Sequence, residues 1–183
     1  QFKNTIKSYI MISLIAGKYK GKKLYQFRNT HVRPTQAKIR KSVLQILEPF
    51  EGLDVLDLYA GVGTLGFEAL SRGASRAVFV EKDHYVYKIL EKNSSLFINE
   101  KMKLHLSDAV QFISRTNNEQ FDIIFADPPY SKTNFQHLKE KVQNILKPDG
   151  IFCMEMKKQD IDGSLARIKY YGNIQVVFWK AAA

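Results

Sequence analysis

Asp127-Pro128-Pro129-Tyr130 brings together groups that can do chemistry on an amine. The residues follow an apolar run, Ile123-Ile124-Phe125-Ala126, that reads as a buried strand, so they stand at its C-terminal end. Ionised Asp127 can only accept hydrogen bonds. Pro128 has no N–H and a fixed φ, which lets its carbonyl face outward as a second acceptor, while Pro129 stiffens the loop. Tyr130 offers a flat face for stacking a planar ring. Two acceptors beside a stacking surface suit the exocyclic NH2 of a nucleobase. A strand ending in a Pro-rich turn is the plainer reading, and the aromatic that follows tips the balance to the amine site.

A second constellation lies upstream. Asp57 runs into Gly61-Val-Gly63-Thr-Leu-Gly66, whose glycines allow a tight turn and close approach to a ligand. The spacing satisfies the dinucleotide fingerprint, with Glu81 about where a ribose-binding acid belongs. Alone, that motif would suit a nicotinamide-linked oxidoreductase, but no candidate for hydride chemistry accompanies it.

These groups need a scaffold that brings them together. From Gly52 onward, strand patterns at 54–59, 76–81, 102–107, 121–126 and 150–155 alternate with helical patterns at about 64–72, 84–98, 109–116 and 133–147. That rhythm predicts an α/β fold, a Rossmann-like, doubly wound, mostly parallel sheet. Segments 165–171 and 174–179 around Gly172-Asn173 predict a C-terminal antiparallel hairpin. In such sheets ligands bind outside the C-terminal strand ends, near the topological switch point. Asp57, Glu81, Asp108 and Asp127 each close or follow one of the first four strands, so they should converge on one crevice.

Charge marks the N-terminal quarter. Residues 1–48 hold eleven of the 28 Lys and Arg but one of the 18 acids, so the net charge of +10 originates there. A basic patch on a neutral domain is the footprint of a polyanionic partner. Segments 12–16 and 22–27, around Gly17–Gly21, predict a small β-hairpin. There Lys18, Lys20, Lys22 and Lys23 interleave with Tyr19 and Tyr25, a pairing that suits nucleic acid. After Arg33-Pro34, Thr35 reads as the N-cap of a helix running to Leu47, with Ile39, Val43, Leu44, Ile46 and Leu47 inward and Arg40 and Lys41 on a solvent-facing basic side. The chain thus divides into a basic extension, residues 11–50, and a main domain, residues 51–180. Residues 1–10 and the alanines at 181–183 read as non-native ends.

Cys153 is the lone cysteine, which excludes an internal disulfide and a cysteine-based zinc site. It sits in an apolar stretch, where cysteine acts as a small hydrophobe. No apolar run reaches membrane-spanning length. A cytoplasmic monomer without metal or membrane attachment is expected.

Residues 57–66 and 127–130 resemble class I S-adenosylmethionine-dependent methyltransferases that modify exocyclic amines. Further stretches, Leu14–Leu24, Arg33-Pro34-Thr35, Leu56–Gly61, Glu68–Ala74 and Val80-Glu81-Lys82, are similar to bacterial small-subunit (16S) ribosomal RNA guanine-N2 methyltransferases. The resemblance implies S-adenosylmethionine as cofactor and ribosomal RNA, or a small-subunit assembly intermediate, as partner. It implies a donor site of Asp57, Tyr59, Ala60, Gly61 and Gly63 at the methionine portion and Glu81 at the ribose. Asp108 would meet the adenine amine, with Lys82 and Ala109 as walls. Asp127, Pro128, Pro129 and Tyr130 would hold the guanine, and Lys18, Lys20, Lys22, Lys23, Arg33, Arg40 and Lys41 would grip phosphates. Lys41 and Leu44 stand where the family usually has an acid and an aromatic. Rival readings are a DNA adenine-N6 or cytosine-N4 methyltransferase and a noncatalytic RNA-binding assembly factor on the same fold.

Overall fold

The computed structural model describes residues 9–27, 34–116, 119–129, 134–161 and 166–182. Two sheets are present among them. The smaller is an antiparallel hairpin of β1 (Tyr9–Ser13) and β2 (Lys23–Phe27), followed by α1 (Pro34–Leu47). The larger has seven strands: β3 (Asp54–Asp57), β4 (Arg76–Glu81), β5 (Met102–Leu106), β6 (Phe121–Ala126), β7 (Leu146–Lys157), β8 (Ala166–Tyr171) and β9 (Ile174–Lys180). Their order is β5-β4-β3-β6-β7-β9-β8, parallel from β5 to β7 and antiparallel at β9 and β8. Intervening helices are α2 (Thr64–Ser71), α3 (His84–Ser94), α4 (Ala109–Arg115) and α5 (Phe135–Val142). The doubly wound sheet and its antiparallel C-terminal strands agree with the sequence expectation. Among the described residues no helix is long and apolar enough to cross a membrane.

The central strands are apolar almost throughout because helices cover both faces. Val55 and Leu56, Ala77 to Val80, and Ile123 to Ala126 are all buried. One core cluster contains Phe67, Phe79 and Phe97 together with Leu14, Leu24, Ile39 and Leu44 from the extension. The extension therefore shares a core with the main domain, and its apolar residues pack on α2 and α3.

Polar groups fix how that packing is set. Buried Asn93 on α3 accepts from the Tyr25 N–H (2.8 Å) and donates to the carbonyls of Tyr25 (3.0 Å) and Val62 (2.9 Å). One amide thus pins β2 to the loop that follows β3. At α2, Glu68 accepts from the Ile15 N–H, and Ser71 accepts from the Tyr19 N–H and donates to the Ala16 carbonyl. Gly17 has φ +76, and a Cβ there would meet the Ser71 carbonyl oxygen at 1.8 Å, so only glycine admits this contact. Replacing Asn93 by Ala would remove three hydrogen bonds to backbone groups. We expect Asn93→Ala to cost about 2–4 kcal/mol in urea unfolding, with hydrogen exchange at Tyr25 rising before global unfolding.

Several boundaries differ from the sequence reading, and three of them have a plain physical reason. The first hairpin strand ends at Ser13 rather than Ala16, because the donors of Ile15, Lys18 and Tyr19 serve α2 instead of a ladder. Helix α3 stops at Ser94, short of 98, where Leu96 and Phe97 form a turn. Helix α5 stops at Val142, and after a short 3-10 turn Leu146 already pairs with Phe121 in the sheet. Leu138, Val142 and Ile145 are buried in helical phase, so periodicity alone did not mark that exit.

Candidate active site

The four expected carboxylates do occupy one edge of the sheet. Asp57 and Glu81 end the adjacent strands β3 and β4, while Asp108 lies two residues beyond β5 and Asp127 directly follows β6. β3 is the switch point, since the chain proceeds from it to β4 on one side and returns to β6 on the other. Two cavities open there. The larger, about 440 Å³, is lined by Leu58, Val80, Glu81, Lys82, Ser107, Ala109, Pro128 and Pro129. The smaller, about 230 Å³, is lined by Asp57, Ala60, Thr64, Cys153, Glu155 and Arg40, among others. Tyr59, Gly61, Val62, Asp127 and Gln26 line both, so the cavities adjoin there.

Gly61 and Gly63 shape the seam. Gly61 has φ +55, and a Cβ would meet nothing within 4 Å, so its backbone faces open space. Gly63, at φ +91, is the N-cap of α2 and supplies no side-chain cap. Glu81 ties the loop to β4 by accepting from the N–H groups of Gly61 (2.9 Å) and Asp83 (2.7 Å). Its carboxylate retains lone pairs for further donors, since two oxygens offer about four acceptor sites. Asp108 caps α4 through Oδ1, which accepts from Val110 (2.9 Å) and Gln111 (3.3 Å). Its neighbours Ser107 and Ala109, rather than Asp108, line the larger cavity. Any contact from Asp108 to an amine must therefore come from Oδ2.

Electrostatics single out two of the acids. Asp57 is buried, and burial pushes its carboxyl up to about 7; Glu81 adds to the rise, while the N–H groups of Gly66 (3.3 Å) and Tyr59 oppose it. Asp127 keeps accessible surface in the groove but is enclosed on its protein side. That desolvation, with the negative charges of Glu155 and Asp57 added, pushes it up to about 7 as well. Burial also raises the Cys153 thiol, in keeping with an inert cavity wall.

The basic residues divide. Lys20, Lys23 and Lys41 are exposed, and Lys18 is half-exposed beside Glu100 (2.8 Å). Two of the residues expected to grip phosphates turn inward instead. Lys22 turns in to donate to the Leu96 carbonyl and lies over the Tyr19 and Phe97 rings, where its stem is covered. Arg40 points inward, with 12% of its side chain exposed and Nε 3.8 Å from buried Glu68. Arg33 and Tyr130 lie outside the described residues.

Sequence reasoning missed Gln26, Asn93, Glu155 and the inward turn of Arg40. Each carried a signal. Gln26 shares a strand face with buried Leu24, and Arg40 precedes buried Leu44 and Leu47 by one and two turns. Asn93 follows buried Ile89 and Leu90 on one helix face, and Glu155 lies on β7, beside β6 and Asp127.

Residues 12–180 match the family model described as conserved hypothetical protein 95. The chain belongs to that family. Members of similar sequence include ribosomal RNA small subunit methyltransferase D of Haemophilus influenzae, 31% identical over 156 residues, which cover 80% of this chain and 79% of the relative. The protein of the same name from Buchnera aphidicola subsp. Acyrthosiphon pisum is 32% identical over 169 residues, 87% of this chain and 84% of the relative. Among solved structures, yhhF from Escherichia coli, described provisionally as a methyltransferase, superposes with a TM-score of 0.83 at 26% identity, covering 95% of this chain and 99% of that one. The resemblance read from the sequence motifs is borne out at the level of the family.

Proposed function

We propose that this protein is a ribosomal RNA methyltransferase that transfers a methyl group from S-adenosylmethionine to the exocyclic N2 of a guanine in small-subunit RNA. The observation that carries the reading is the place of Asp127, at the seam of two cavities and beside the Gly61 turn. An amine held there would meet a ligand lying over the glycine loop. The residues present fit the donor. The larger cavity has apolar walls for a flat base, with the Glu81 carboxylate at its rim for hydroxyls. The smaller has acidic and basic groups suited to an amino-acid end. Family relatives named as ribosomal RNA methyltransferases support the same reading.

When bound, S-adenosylmethionine supplies a methyl group on a sulfonium, an inherently good leaving group, so placement is what the protein must provide. Glu81 accepts hydrogen bonds from the ribose hydroxyls. Asp108 Oδ2 serves the adenine amine, while Lys82 and Ala109 wall the base. Tyr59, Ala60, Gly61 and Gly63 pass beneath the methionine portion, near Asp57. Asp127 and the Pro128 carbonyl would accept the two N2 hydrogens and so fix the orientation of the amine. Pro129 stiffens that loop, and Tyr130 stacks on the guanine. The base must leave its stack to enter, as enzymes that modify bases require.

The direct test is incubation with labelled donor and either naked ribosomal RNA or assembly intermediates. Label in small-subunit RNA supports the proposal, and none in any substrate contradicts it. Lys20, Lys23 and Lys41 grip phosphates in this reading. Changing all three to Gln should weaken RNA binding and flatten its logarithmic salt dependence by roughly 2, measured by fluorescence anisotropy between low and moderate salt. Lys22→Gln should act chiefly through lost packing on Tyr19 and Phe97.

A further inference from the structure

Arg40 is poorly placed to grip an RNA backbone. With 12% of its side chain exposed, it lines the 230 Å³ cavity that also has Cys153 and Val176 in its wall, and a phosphate backbone does not enter so small a space. Nε is buried and has no hydrogen-bond partner among the described residues. Glu68 is near in charge but too far for a hydrogen bond, and its Oε1 already accepts from the Ile15 N–H at 2.8 Å. Glu68 also has Arg72 for company, with Nε 3.6 Å away. A buried donor of this kind normally finds an acceptor.

Two further features share the cavity. Thr64 and Leu65, the first residues of α2, line it; Asp57 accepts from the Gly66 N–H in that first turn, while the Gly63 N-cap brings no side chain to the N–H groups of Thr64 and Leu65. Exposed N–H groups at a helix start favour an anion. Asp57, Asp127 and Glu155 supply the opposite charge in the same lining, and Asp57 is the buried one among them. A cavity holding a guanidinium, a helix amino end and a carboxylate is complementary to a zwitterion, an α-amino acid with its ammonium toward Asp57 and its carboxylate toward Arg40.

We propose that Arg40, with the amino end of α2, holds the α-carboxylate of the methyl donor's amino-acid end. The proposal rests on the donor reading above and assigns Arg40 to the donor rather than to RNA. Guanidinium and carboxylate match in a planar, charge-assisted pair, which lysine cannot reproduce.

Calorimetric titration with two nucleosides tests it. S-adenosylhomocysteine keeps the amino-acid end, whereas 5′-methylthioadenosine lacks it. Arg40→Gln alone would remove one of the two cations beside buried Glu68, so the variant to use is Arg40→Gln with Glu68→Gln, alongside Arg40→Lys. Both should lose about 10- to 100-fold in affinity for S-adenosylhomocysteine and stay within about twofold for 5′-methylthioadenosine. Unchanged S-adenosylhomocysteine binding would overturn the assignment. So would equal loss for both ligands, which marks a purely structural arginine. If the unaltered protein binds neither nucleoside, the donor reading itself falls and takes this inference with it.

Discussion

Asp127→Ala should reduce methyl transfer by roughly 10³-fold or more, while affinity for S-adenosylhomocysteine changes by no more than about threefold. The asymmetry follows from position. Asp127 touches both cavities at their junction, whereas the glycine loop, Glu81 and the larger cavity's apolar walls do not depend on it. Removing the carboxylate takes away an acceptor for the amine and leaves the donor's main contacts intact. Since the acceptor form is the ionised one, and the carboxyl is pushed up to about 7, single-turnover rates should climb as pH rises through that value. Asp127→Asn tests the same point, because its amide must present a donor toward one side and loses the pH dependence. Rates falling as pH rises from 6 to 8 would contradict this role.

Asp57→Asn should make the ligand-free protein more stable above pH 7 even as it weakens donor binding. The folded-state pKa of Asp57, about 7, lies above the usual carboxyl value of 3.8. The folded protein thus holds a proton that the unfolded chain has released between about pH 4 and pH 7. Stability consequently falls as pH rises across that window, and the loss is complete above the folded value. At 1.36 kcal/mol per unit, the full cost of ionising Asp57 is on the order of 4 kcal/mol. Asparagine carries no such charge, and its oxygen can still accept from Gly66 and Tyr59. Urea unfolding at pH 4 and pH 8 should show the variant gaining a few kcal/mol over the parent at the higher pH and little at the lower. Equal effects at both would show that burial does not strain this carboxylate. A stabilising change that harms ligand binding is the usual trade at a charged site held ready for its partner.

Much of this site was legible in the sequence because its chemistry lies at strand ends. Strands buried on both faces, such as β4 and β6, announce themselves by unbroken apolar runs, and the next residue along is then at the crevice. That logic placed Asp57, Glu81 and Asp127 correctly on one edge. Contacts made by the extension were not legible in the same way. Whether Lys22 faces solvent or the Leu96 carbonyl depends on α3, more than seventy residues away in the chain. Arg40 looked like part of a solvated face until the buried Glu68 of α2 was beside it. Sequence also reads an amphipathic helix more readily than its end. Leu146 continues the pattern of α5 yet belongs to β7, where pairing with Phe121 outweighs helical phase.

In the proposed reaction this groove methylates the N2 of guanine in small-subunit ribosomal RNA. Nucleoside digestion of RNA labelled by the protein, resolved by mass spectrometry, tests it most directly. N2-methylguanosine carrying the label, at a single position of that RNA and missing from the Asp127→Ala reaction, is the expected result. Label on adenine N6 or cytosine N4, or on any ring carbon, would contradict it.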